Sequence, residues 1–161
     1  MQTLNVGAGR TDEEYKQAEE QRRADLRAES RSDANYFFIA AVLAAVGNGL
    51  FLVRIPILVV IGATELLMAY GRPFGDHLFL LVYGAGVAWV AALVGLGFAA
   101  QKGYRWAFWA GIILYGADMI ILVVTLSWAS IGVHGFLVFK WFQGQKALQD
   151  LKEPSASAAR A

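Results

Sequence analysis

Residues 78–126 read LFLLVYGAGVAWVAALVGLGFAAQKGYRWAFWAGIILYGADMIILVVTL, with three charges in the stretch: Lys102, Arg105 and Asp118. Two apolar runs flank a short polar turn. Each is near the about 20 residues that a helix needs to cross a bilayer. Neither alternates between polar and apolar, so neither reads as a half-buried strand. The stretch predicts two membrane helices joined by a tight loop at Lys102–Arg105.

The rest of the chain extends this pattern. Hydrophobic segments are predicted at 36–53, 55–70, 78–100, 106–126 and 128–143. The expected fold class is an all-α polytopic membrane helical bundle with five hydrophobic helices. Composition agrees: 57 % of the 161 residues are apolar and 17 % charged, against about 45–50 % and about 25 % in soluble domains. That balance argues against a soluble enzyme, a disordered chain and a nucleic-acid binder. There is no cysteine, which removes disulfides, thiol catalysis and Cys-ligated metals.

Charge divides the chain into three parts. Residues 1–35 hold eight of the 13 acidic and six of the 14 basic residues. Residues 36–143 form the expected transmembrane domain, and 144–161 a polar tail that is disordered from Glu153 onward. In the head, Thr11-Asp12-Glu13-Glu14 fits a capping box. The composition then predicts an N-terminal cytoplasmic amphipathic helix over about 12–32, with Asp12/Lys16 and Glu19/Arg23 as favourable i,i+4 pairs. The first apolar run comes too late for a cleavable signal peptide, so it is expected to remain as an anchor.

Basic residues set the expected orientation. Arg22, Arg23, Arg27 and Arg31 precede the first segment, which puts the N-terminus in the cytoplasm. Lys102, Arg105, Lys140 and Lys146 join them there only if four segments cross. Five crossings would put the 102–105 loop and the C-terminus outside. Segment two is the one to demote. It is short, begins Arg54-Ile55-Pro56, carries Glu65 and ends Gly71-Arg72-Pro73, as a re-entrant or buried segment would. Tyr36, Phe37, Phe38, Tyr104, Trp106, Trp109, Trp128 and Trp141 fall at segment ends, as an interfacial aromatic belt would.

Small residues predict how the helices pack. On segment three Gly84, Ala88 and Ala92 make one ridge, and Ala91, Gly95 and Ala99 another. Ala40/Ala44, Ala41/Ala45 and Ala107/Gly111 repeat the spacing, which lets backbones approach. Within-bundle packing is the expected use, with contact to another chain as the alternative.

Polar groups within a bilayer are costly and are therefore candidates for function. They are Asn48, Glu65, Tyr115, Asp118 and His134. Asp118 shares a helix face with Gly111, Tyr115, Leu122 and Thr125, a stripe expected to face inward, with Tyr115 in reach of the carboxyl. His134 shares one with Ser127, Ser130, Val138 and Trp141. Three uses are open. Glu65, Asp118 and His134 could relay protons or handle a small solute. His134 could ligate a haem or chlorophyll-type macrocycle, although His77 is the only other histidine. The groups could also hold helices together by hydrogen bonds. No GxSxG, HExxH or phosphate loop is present, so no enzyme, metal site or resident cofactor is expected.

Three stretches, Arg31–Ala40, Lys102–Asp118 and Ser127–His134, together resemble a group of small uncharacterised bacterial multi-pass membrane proteins with no assigned activity. The resemblance spans roughly residues 31–145. It implies a bacterial inner-membrane protein and brings no function with it. The expected role is a non-enzymatic accessory or structural subunit. Its partners would be the lipid bilayer and other membrane proteins or itself.

Overall fold

The computed structural model describes residues 12–52, 76–124 and 128–153. Among them are four helices and no strand: α1 (Asp12–Leu52), α2 (Asp76–Gln101), α3 (Arg105–Val124) and α4 (Trp128–Asp150). Predicted segment two, with Glu65, lies outside the described residues, as do Thr11 and the end of the tail.

Helix α1 departs from expectation. It is one uninterrupted helix of 41 residues, about 60 Å long at 1.5 Å per residue. The predicted head helix and the first apolar segment are continuous. No Gly or Pro interrupts the chain from Asp12 to Val46, so the change in composition near residue 35 is not a break in the backbone. The expected Glu19/Arg23 pair forms at 2.9 Å, and Arg22 also reaches Glu19 at 3.2 Å. Helix α4 is likewise longer than predicted, and takes in the first part of the supposed tail.

The α2–α3 turn is short because its capping is complete. Gly103 sits at φ +84°, the left-handed conformation that ends many helices. Its N–H donates to the Ala100 carbonyl at 2.9 Å, and the Tyr104 N–H donates to the Ala99 carbonyl at 3.1 Å. This is the paired arrangement of a Schellman motif. The Ala107 N–H then donates to the Tyr104 carbonyl at 3.1 Å, which starts α3.

Each helix packs against its sequence neighbours, and α4 closes the ring against α1. Every neighbouring pair is antiparallel. Asn35 meets Gln101, and Phe38 meets Phe98 one turn on. Gly144 meets Phe108, Trp141 meets Gly111, and His134 meets Asp118. Phe37 stacks on Trp141, while Arg22 reaches the Glu153 carbonyl far out along both helices. The result is an up-down-up-down bundle in which α1 ends and α2 begins at the same end.

The core runs through Ala34, Phe37 and Ala41 of α1, Leu93 and Leu96 of α2, Phe108 and Tyr115 of α3, and Leu137 and Trp141 of α4. Close approach depends on glycines at three points. A Cβ on Gly111 would lie 2.5 Å from the Phe37 ring, one on Gly144 2.6 Å from Phe108, and one on Gly97 2.9 Å from Phe38. The predicted packing ridge behaves differently. Gly84, Ala88, Ala91, Ala92 and Gly95 are exposed, and only Ala99 is half-buried against the core. Around Gly84 and Gly95 an added Cβ would meet nothing within 4 Å. The ridge thus faces away from the other described helices. Helix α2 is apolar all round, so spacing grouped these residues without saying which way they turn.

Among the described residues two helices, α1 over Glu13–Leu50 and α2 over Leu80–Gln101, contain stretches long and apolar enough to cross a membrane, by length and composition alone.

Candidate functional site

Helix α3 presents Gly111, Tyr115, Asp118 and Leu122 inward, as their spacing predicts, while Ile113, Ile120 and Val123 face out. Helix α4 turns Ser130, His134, Leu137 and Trp141 inward. Antiparallel packing then sets Asp118 opposite His134. His134 is 1 % and Asp118 7 % exposed, and Nε2 lies 2.8 Å from Oδ2. The pair is about 20 Å along α3 from its first residue, Arg105, at 1.5 Å per residue.

The second ring nitrogen fixes the proton count. His134 Nδ1 lies 2.9 Å from the Ser130 carbonyl oxygen. A carbonyl only accepts, so Nδ1 carries a hydrogen. The 2.8 Å contact on the other side needs one more proton between Nε2 and Oδ2. That proton makes either an imidazolium–carboxylate pair or a neutral imidazole beside a carboxylic acid. Both forms have zero net charge, the arrangement a low-dielectric interior tolerates best.

Aromatic rings enclose the pair. Tyr115 stacks on the His134 ring at 4.7 Å and on Trp89 at 6.1 Å. It meets Trp141 edge-on at 4.9 Å, and Trp141 stacks on Phe37 at 4.2 Å and 10°. Phe37 and Trp141, read from sequence as part of the interfacial belt, are fully buried instead. Both lie on inward stripes, and their places near segment ends concealed this. Tyr104, Trp106, Trp109 and Trp128 are exposed, in keeping with a belt.

Asn48, four residues before the end of α1, is buried, and its Oδ1 has no hydrogen-bond partner among the described residues. Glu65 lies outside the described residues. No group of three or more metal-ligating side chains occurs among those described.

A second polar contact escaped the sequence reading. Asp33 of α1 is buried, with Oδ1 3.6 Å from Lys140 Nζ of α4. Lys140 also donates to Gln143 at 3.0 Å and lies 5.6 Å from the centre of the Tyr36 ring. Burial pushes the Asp33 carboxyl above its ordinary value of 3.8, against the pull of Lys140 and with a small push from Glu29. The visible signal was an acidic residue one turn before an apolar run, with a lysine at the end of another.

No family model matches the chain, and neither does any curated protein or solved structure.

Proposed function

We propose that the chain is a small polytopic membrane protein whose role is to pack against other membrane proteins as an accessory subunit. One observation carries this reading: from Asp33 onward the bundle buries several polar side chains within its apolar core while many of its largest apolar side chains face outward. Leu80, Leu81, Phe98, Ile113, Ile120, Phe136, Phe139 and Phe142 are at least half exposed, while Asn48, Asp118, Ser130 and His134 are buried. Water would penalise that arrangement and lipid would favour it. The outward Gly84–Ala88–Ala92 ridge supports the accessory role, because small residues let another membrane helix come close. A bacterial inner-membrane location, suggested by the resemblance, belongs to the same proposal.

The antiparallel pairing of α1 and α2 favours four crossings. Residues 53–75 link two points at one end of the bundle, and 23 residues are too few for two further crossings of about 20 each. The other end then gathers Arg31, Lys102, Arg105 and Lys146, which makes it the cytoplasmic end.

Gentle affinity purification from native membranes, followed by mass spectrometry, tests the role. The expected result is a stoichiometric membrane partner that Gly84→Leu and Ala88→Leu together release. A monomer carrying no protein would overturn it.

The Asp118–His134 pair favours a second reading, proton handling. Proton flux in vesicles that survives Asp118→Asn would exclude it. Haem or chlorophyll ligation draws no support from the site, because both nitrogens of His134 are engaged and a macrocycle would have to displace Asp118 or the Ser130 carbonyl.

A further inference from the structure

Near the α2–α3 turn a groove of about 640 Å³ opens between α1 and α2. Arg31, Ser32 and Asn35 of α1 line it, with Phe98 and Gln101 of α2 and Lys102 just beyond. We infer that this groove binds the phosphate headgroup of an anionic membrane phospholipid, with Arg31 and Lys102 as its counter-charges. The inference rests on the membrane reading above.

Four observations carry it. First, the lining holds two cations and no carboxylate. Among the described residues neither Arg31 nor Lys102 has an ion-pair partner, whereas Arg22, Arg23 and Lys140 all do. Second, the polar floor is braced. Gln101 Nε2 donates to Asn35 Oδ1 at 2.9 Å, which leaves the Asn35 amide N–H groups available to a phosphate oxygen. Third, three carbonyls of the last α2 turn, those of Phe98, Ala99 and Ala100, already accept from the N–H groups of Lys102, Tyr104 and Gly103, which reduces the negative end that the helix presents to an anion.

Fourth, the groove sits where the chain changes from charged to apolar. Arg31, Asn35, Ile39, Val42 and Val46 follow one another along one exposed stripe of α1. Phe98, 56 % exposed and held edge-on by Phe38 at 5.2 Å, lies beside it. A headgroup at Arg31 would have its acyl chains on Ile39, Val42 and Phe98. Free phosphate would satisfy the same cations and gain nothing from that apolar track. Basic pockets between membrane helices on the cytoplasmic side are suited to anionic headgroups in this way.

The test uses the full chain in detergent and native mass spectrometry. Phosphatidylglycerol, phosphatidylcholine of the same acyl chains, or inorganic phosphate is added. One phosphatidylglycerol should be retained in preference to phosphatidylcholine, and millimolar inorganic phosphate should not displace it. Arg31→Gln and Lys102→Gln should each weaken retention about fivefold, the effect of one interfacial cation. Lys146→Gln, which removes an exposed cation outside the groove lining, should leave retention unchanged. Equal retention of the two lipids, equal loss with Lys146→Gln, or displacement by inorganic phosphate would each overturn the inference. Because Arg31 and Lys102 are exposed, unchanged thermal unfolding should show that their variants remain folded. Washing native membranes in alkaline carbonate separates the two claims. Protein released by the wash defeats the membrane reading itself. Protein that stays in the pellet yet shows no lipid preference defeats only the lipid site.

Discussion

The proton shared by Asp118 and His134 makes their substitutions informative one at a time. Leucine at 118 would leave Nε2 of a buried ring facing nothing polar, and a buried unsatisfied group costs about 1–3 kcal/mol. Asparagine is different. Its side-chain N–H can donate to Nε2 of the neutral ring whose hydrogen stays on Nδ1, so the contact survives while the shared proton is gone. Asp118→Asn should therefore unfold within about 1 kcal/mol of the parent, and Asp118→Leu about 1–3 kcal/mol below it. Unfolding of the detergent-solubilised variants checks this, and an equal loss in both would mean that the hydrogen bond contributes nothing. Asp33 supplies the opposite case. Its carboxyl is raised by burial despite Lys140, so the folded chain holds the proton to higher pH than the unfolded one. Stability should fall as pH rises from 3.8 through the raised folded value. Asp33→Asn should flatten that slope, and a slope unchanged in this variant would assign it to another group. Of these two contacts only the first was half legible. A deep carboxylate and a deep imidazole could be singled out from the chain, but their meeting depended on how α3 aligns with α4.

At the scale of helices, sequence spacing identified stripes and left their direction open. On α3 the carboxylate of Asp118 broke the symmetry, so the Gly111–Tyr115–Asp118 face was expected inward and is found there. On α2 every face is apolar, and the most regular small-residue ridge proves to be the exposed one. The glycines that do admit a neighbour are Gly97, beside Phe38, and, most tightly, Gly111 and Gly144, where Phe37 and Phe108 lie over the backbone. Phe37 is itself clamped by Trp141 at 4.2 Å, so it has little room to retreat. Gly111→Ala and Gly144→Ala should each destabilise the bundle by about 1–3 kcal/mol, the usual cost of overpacking. Gly84→Ala and Gly95→Ala meet nothing within 4 Å and should be neutral or gain up to about 1 kcal/mol of helix propensity. Thermal unfolding of the four variants separates the groups. If Gly84→Ala were as damaging as Gly111→Ala, the α2 ridge would be an internal surface after all.

For the whole molecule, the sequence predicted an all-helical membrane protein and where its apolar runs lie, but it left the expected number of crossings open. Hydropathy scores each run separately, whereas the parity of crossings is a property of how the runs pair. Pairing supplies the missing constraint. Asn35 meets Gln101 and Phe38 meets Phe98, so α1 and α2 run in opposite directions. In a membrane, the end of α1 at Leu52 and the start of α2 at Asp76 would then share one side. The α2–α3 turn and the far end of α4 would share the other with the head of α1, where Arg22 reaches Glu153. Reporters fused before Met1, at the 102–104 turn and after Ala161 should all read cytoplasmic, and a reporter inserted at 125–127 should read from the opposite side. A fifth crossing would move the 102–104 turn and the C-terminus together to the outer side. It would make α1 and α2 parallel, with Asn35 and Gln101 at opposite faces of the bilayer and their 2.9 Å hydrogen bond broken. The turn reporter and the C-terminal reporter thus report on one packing contact from two places. Their agreement on the cytoplasmic side is what the antiparallel α1–α2 pair requires, and an outer-side signal from both would mean that this pair does not form in the membrane.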